Sequence, residues 1–138
     1  MAERLERLEK QMGEAAPVSE TVEARAFIVR DADGKRQAWL GATEEGPGLA
    51  LYDADGNMRA WLAVAEGNPR LALLDANEKV QAVMAVAVAE EGPVLTLHDT
   101  DGEVRAALGV VEEGPGLTLY DVNRKVRAGL TVAEEGPR

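Results

Sequence analysis

The sequence predicts an all-β fold: a five-copy antiparallel β-hairpin repeat array of about ten strands behind a short N-terminal helix, of a kind suited to a homotrimeric β-prism or fibre-like stalk. Three observations carry that expectation. Aspartates recur at Asp31, Asp53, Asp75, Asp99 and Asp121, spaced 22, 22, 24 and 22 residues apart. Around each anchor, two runs of alternating apolar residues flank a short segment rich in Asp, Asn and Gly, as in Gly48 to Val64, which is the pattern of two strands joined by a tight turn. Between copies lie Glu44-Glu45-Gly46-Pro47, Glu66-Gly67-Asn68-Pro69, Glu90-Glu91-Gly92-Pro93 and Glu112-Glu113-Gly114-Pro115, where glycine makes a reversal and proline opens a strand without having to supply an N–H.

Residues 1–16 place Met1, Leu5, Leu8, Met12 and Ala15 at a 4-3-4-3 spacing among Glu, Arg and Lys, which reads as two heptads of a coiled-coil seam. Helices this short are marginal alone, so the segment needs partner chains or, alternatively, caps the adjoining sheet. Arg4-Leu5-Glu6-Arg7-Leu8-Glu9 resembles the R-h-x-x-h-E pattern of parallel three-stranded coiled coils, in which Arg and Glu pair across the seam. Gly13 and Pro17 end the helix, residues 17–25 form a connector, and residues 26–138 form the repeat domain.

In the first strand of each copy the inward positions are Phe27 and Val29, Leu49 and Leu51, Leu71 and Leu73, Leu95 and Leu97, and Leu117 and Leu119. In the second strand an alanine always stands seven residues after the anchor, at Ala38, Ala60, Ala82, Ala106 and Ala128, followed by Leu40, Leu62, Met84, Leu108 and Leu130 and then Ala42, Val64, Val86, Val110 and Val132. The unvarying alanine marks a place where another backbone or side chain comes close, or preserves a copied unit. The third copy is two residues longer, within Met84 to Ala89; an even insertion keeps every side chain on its original face.

Parity selects the turn. A two-residue type I′ loop at Asp55-Gly56 sets Leu51 opposite Ala60 and Leu49 opposite Leu62, with Met58 on the same apolar face, whereas a three-residue loop mixes the faces. Asp33-Gly34 and Asp101-Gly102 are equivalent, and Asn77-Glu78 and Asn123-Arg124 replace the glycine while gaining the asparagine that tolerates positive φ. In this register Tyr52 meets Arg59, His98 meets Arg105 and Tyr120 meets Arg127 as direct cross-strand pairs.

A two-stranded hairpin is marginal in water, so the copies must stack, and the resulting apolar face needs a cover. Either the sheet closes on itself as a barrel or rolled sandwich, or several chains pack their apolar faces around a common axis. An interior of Leu, Val and Ala with Phe27 as its aromatic suits a narrow three-chain prism better than a barrel. The expected oligomerisation residues are therefore Leu5, Leu8, Met12, Ala38, Ala60, Ala82, Ala106 and Ala128.

The repeat, with its LYDxDGxxRAxL core and GPxLxL connection, resembles hairpin arrays in uncharacterised bacterial proteins that often follow a short coiled coil, over about Ala26 to Arg138. The resemblance implies a repeat fold and no activity. The Tyr-Asp-x-Asp-Gly piece is also similar to the YD repeats of shell-forming toxin proteins, but their flanking aromatic and glycine pattern is absent.

Composition narrows the function classes. A net charge of −10 with 25 acidic and 15 basic residues argues against nucleic acid as a partner, and no signal peptide or long apolar run is seen, so the expectation is no membrane insertion and cytoplasm by default. No cysteine is present and Ser19 is the lone serine, so nucleophilic catalysis lacks parts and the chain reads as non-enzymatic with no cofactor. Asp31-x-Asp33-Gly34, Asp53-x-Asp55-Gly56 and Asp99-x-Asp101-Gly102 lack the later ligands of a calcium loop and read as turn formers, leaving no metal site. Trp39, Trp61, Tyr52 and Arg59 form a candidate ligand strip for carbohydrate or peptide, of lectin or adhesin type; packing of the same tryptophans beneath the connector or against an adjoining chain is the favoured alternative. The reading is thus a structural module that oligomerises with itself into a rigid stalk or filament, with end-to-end stacking as an extension.

Overall fold

In the computed structural model, which describes residues 1–13, 20–86 and 91–132, the alternating apolar runs form one antiparallel sheet in which each strand pairs only with its neighbours in sequence. The helix α1 spans Ala2–Gly13, and the strands are β1 Ala26–Arg30, β2 Arg36–Thr43, β3 Gly46–Tyr52, β4 Met58–Ala65, β5 Asn68–Leu74, β6 Val80–Val86, β7 Glu91–His98, β8 Val104–Val111, β9 Gly114–Tyr120 and β10 Val126–Thr131. The Met12 side chain, Pro17 to Ser19 of the connector, Ala87 to Ala89 of the insertion and the last copy's residues 133–138 lie outside the described residues.

The sheet is open. β1 pairs with β2 and β10 with β9, and the two do not meet, so it is no barrel. It is also one layer thick: among the described residues the buried hydrophobics are Ala50, Ala63 and Ala72 alone, and α1 makes no contact with the sheet.

The register is the one parity requires, with Leu49 opposite Leu62 and Leu51 opposite Ala60. It is reached by a different turn. The Gly56 N–H donates to the Asp53 carbonyl at 3.0 Å and the Asp53 N–H to the Asn57 carbonyl at 2.9 Å, so the loop is Ala54-Asp55-Gly56, three residues long. Tyr52 then pairs with Met58, and Arg59 stands in the strand as an extra residue before Ala60. Three loop residues and one bulged residue make an even number, so the faces stay unmixed. Every copy repeats this, with Gln37, Arg59, Gln81, Arg105 and Arg127 as the extra residues.

Three expectations fall with the two-residue loop. Only one residue per loop needs positive φ, the last: Gly34, Gly56 and Gly102 at 80°, 91° and 85°, and Glu78 and Arg124 at 59° and 61°, so the asparagines Asn77 and Asn123 do not occupy the left-handed position. The pairs Tyr52–Arg59, His98–Arg105 and Tyr120–Arg127 are replaced by Tyr52–Met58, His98–Val104 and Tyr120–Val126, because the bulge takes each arginine out of the ladder. Met58, opposite Tyr52, accordingly leaves the leucine face.

A two-residue loop with both φ values positive does occur, in a connector: Glu66 at 51° and Gly67 at 83° join Ala65 to its partner Asn68. In the other connectors Gly46, Gly92 and Gly114 press against the backbone carbonyls of Val64, Val110 and Val132, where any Cβ would collide, which explains the glycine before each of those prolines. Across the third copy Met84 faces Leu95 and Val86 faces Pro93, so the even insertion leaves the faces aligned.

Gly56→Ala is expected to destabilise its hairpin by about 1 kcal/mol, the cost of a left-handed residue with a Cβ, while Asn77→Ala changes stability little. Amide hydrogen exchange in β3 to β6 of each variant measures both.

Candidate interaction surface

The ladder arranges the apolar face in rows that run across all ten strands. One row is large throughout: Phe27, Leu40, Leu49, Leu62, Leu71, Met84, Leu95, Leu108, Leu117 and Leu130 succeed one another as register partners. Beside it a second row alternates large and small, with Ala38, Ala60, Ala82, Ala106 and Ala128 set between Val29, Leu51, Leu73, Leu97 and Leu119. On the connector side valines face prolines, as in Val64–Pro69 and Val110–Pro115. Successive copies leave shallow apolar dimples of about 190 Å³ among Leu40, Leu49, Leu62 and Val64 and about 150 Å³ among Leu62, Leu71, Met84 and Val86.

This face is uncovered. Leu40, Leu51, Leu62, Leu73, Met84, Leu97 and Leu108 are all exposed, as are Leu5 (58%) and Leu8 (49%) on α1. An exposed apolar surface of this extent marks an interaction site in a native protein. The structure brings the five sheet alanines into one row, as pits between larger side chains, and holds Leu5 and Leu8 on a helix separate from it.

The turns that margin this face are held by the anchor aspartates. In Asp53, Oδ1 accepts the Asp55 and Asn57 N–H groups, both at 3.0 Å, and Oδ2 accepts Arg59 at 3.3 Å. The other anchors bind alike, Oδ2 accepting Gln37 at 2.9 Å from Asp31, Gln81 at 3.1 Å from Asp75, and Arg105 and Arg127 at 2.6 Å from Asp99 and Asp121. The bulge is what aims the sixth residue after the anchor back at the carboxylate. Sequence reasoning missed this clasp, although a hydrogen-bonding Gln or Arg at that place in every copy was its signal.

The clasps at the three arginine-bearing copies lower the carboxyl pKa. At Asp53 the Asn57 N–H leads, outweighing a partial desolvation that pulls upward, with Arg59 and the Asp55 N–H adding to it. At Asp99 desolvation is the largest influence and pulls upward, but the Glu103 and Asp101 N–H groups and Arg105 together prevail. At Asp121 the Lys125 N–H leads and again outweighs desolvation, helped by the Asn123 N–H and Arg127.

On the opposite face Trp39, Ala50 and Trp61 are register neighbours, and the two indoles lean across Ala50 to stack with centroids 6.0 Å apart and planes 19° from parallel. Ala50 is thereby 0% exposed. The rings lie over Gly41 and Gly48, where a Cβ would strike them. The other two residues of the candidate strip are engaged elsewhere: the Tyr52 ring has the Arg36 guanidinium 5.8 Å from its centroid, and Arg59 bonds Asp53 and the Leu74 carbonyl. His98 bonds Thr96 at 2.9 Å through Nε2 and the Gly102 carbonyl at 3.1 Å through Nδ1, while Arg105 turns to Asp99. With a carbonyl as its partner, Nδ1 is the protonated nitrogen of the neutral ring.

Among the described residues no group of acidic or histidine side chains is placed to hold a metal, and no helix is long and apolar enough to cross a membrane. The chain matches no protein-family model and no curated protein.

Two outcomes are expected. A carboxylate whose folded pKa is depressed adds stability that is complete above its unfolded pKa, near 3.9, and lost as pH falls through the lower folded value; thermal melts should be flat from neutral pH down to about 5 and decline in stronger acid, with a shallower decline in Asp121→Asn. Gly48→Ala should displace Trp61 and remove the near-ultraviolet circular dichroism of the stacked indoles.

Proposed function

We propose that this chain is a non-enzymatic structural or scaffolding module whose copies pack their apolar faces around a common axis, guided by the N-terminal coiled-coil helices, into a rigid homotrimeric stalk. One observation carries the reading. The isolated chain exposes 11170 Å² at a mass of 14.7 kDa, where a compact monomer exposes about 6,900 Å². The excess of about 4,000 Å² is several times the roughly 800 Å² that each partner contributes to a standard stable interface.

Further features support the same reading. Alanine pits set between leucines in one row suit interdigitation with a facing row of the same kind, and the dimples recur at the repeat period. The α1 seam of Leu5 and Leu8 is unclaimed by the sheet, as a helix reserved for its own copies must be. Three is the chain number that the R-h-x-x-h-E segment favours. The tryptophan pair belongs to the other face and lies on Gly41 and Gly48, with Arg59 turned away, an arrangement that supports packing more than carbohydrate or peptide binding.

Multi-angle light scattering at micromolar concentration is expected to give masses built on a unit of about three chains, and deletion of residues 1–16 should weaken the association. A monomer mass for the intact chain overturns the proposal.

A further inference from the structure

Beyond packing face to face, the sheet has two ends, and their chemistry is unequal. β1 and β10 are exposed at every residue, and neither AFIVR nor VRAGLT carries the proline or lysine with which natural sheets protect an edge. Each turn inside the array also reaches forward to the next. Lys35 Nζ donates to the Ala54 carbonyl and Lys79 Nζ to the Thr100 carbonyl, each at 3.0 Å. Arg59 donates to the Leu74 carbonyl and Arg105 to the Asp121 carbonyl. Odd-numbered copies thus use the lysine four residues after the anchor, and even-numbered copies the arginine six after it.

The fifth copy carries both donors, Lys125 and Arg127, and no described turn follows it. Arg127 holds Asp121 as Arg105 holds Asp99, yet its side chain is 65% exposed against 25% for Arg105. At the other end the first copy presents the matching acceptors, the Ala32 and Asp31 carbonyls, which receive no side chain from a preceding turn among the described residues.

We propose that copies of this chain join head to tail, β10 of one pairing antiparallel with β1 of the next in the register that β2 and β3 already use. That register sets Ala128 opposite Val29, Gly129 opposite Ile28 and Leu130 opposite Phe27, by analogy with Ala38–Leu51, Trp39–Ala50 and Leu40–Leu49. Lys125 then donates to the next chain's Ala32 carbonyl and Arg127 to its Asp31 carbonyl. The joint continues the large apolar row without a break. Because the two surfaces differ, the contact is heterologous and does not close, so it yields an open filament in which each chain adds about 48 Å, ten strands at about 4.8 Å. The directional turn bonds exclude β1 against β1, which would bring acceptor to acceptor.

The chain has no cysteine of its own, so paired cysteines report the register. Val29→Cys/Ala128→Cys and Ile28→Cys/Gly129→Cys place the thiols on the two directly opposed pairs, one of which has the side-chain separation a disulfide needs. Mild oxidation is expected to give, in at least one of them, a covalent ladder in steps of 14.7 kDa, while each single-cysteine variant stops at a dimer. Absence of a ladder in both, ladders that end at dimers, or an intramolecular disulfide overturns the proposal. A second measurement avoids strained variants: Lys125→Glu/Arg127→Gln installs residues that sibling copies already carry at these places, Glu103 and Gln81. Sedimentation velocity should show the end-joined species reduced several-fold, and an unchanged distribution counts against the joint. The apolar face and the two sheet ends are different surfaces, so loss of the ladder with the three-chain unit kept and loss of that unit are distinguishable.

Discussion

Everything in this molecule depends on an even count. Side chains in a strand alternate between faces, so each reversal must consume an even number of residues or the leucines of the next strand point the wrong way. The sequence meets that requirement with a loop of three and a bulge of one, both organised by a single carboxylate. One oxygen of the anchor aspartate gathers two loop N–H groups, and the other holds the bulged Gln or Arg. A shift of one residue at any turn would divide the continuous row from Phe27 to Leu130 between two faces.

The row, in turn, explains why the sheet is thin. The leucine rows occupy one face, while the other carries smaller residues such as Ala50, Ala72, Ala107, Thr118 and Gly129 in one row with Ile28, Val83 and the two indoles, which cover Ala50. Among the described residues nothing further is laid against the leucines. The hydrogen-bonded ladder and the turn clasps give the layer its geometry, while the buried apolar core that ordinarily stabilises a domain of this size is reduced, among the described residues, to Ala50, Ala63 and Ala72.

Much of this was legible in residue order. The five anchors, the strand positions, the opposition of Leu51 and Ala60 and the presence of a short N-terminal helix all follow from periodicity and spacing. What misled was the assumption that faces are preserved by the loop alone. Asp-Gly suits a two-residue turn, and alternation cannot distinguish two loop residues from three plus a bulge, because both are even. The clasp at the sixth residue was present in the sequence as a recurring Gln or Arg, but a residue that alternates with apolar neighbours reads as a strand position facing water. The turn-to-turn bonds of Lys35, Arg59, Lys79 and Arg105 were beyond reach, because they join residues brought together only by the stacking of copies. The tryptophan stack required knowing that two strands separated by Ala50 let their rings lean together.

Pairing restricted to sequence neighbours has a consequence for how such a chain forms and changes. No strand waits for a partner from the far end, so loop closure never spans more than one copy, and ordering can start at any hairpin and spread in both directions. The same locality makes length a free variable. Gain or loss of one 22-residue unit leaves the rest of the ladder in register, so an array of this kind can be cut to whatever reach is needed without redesigning a core.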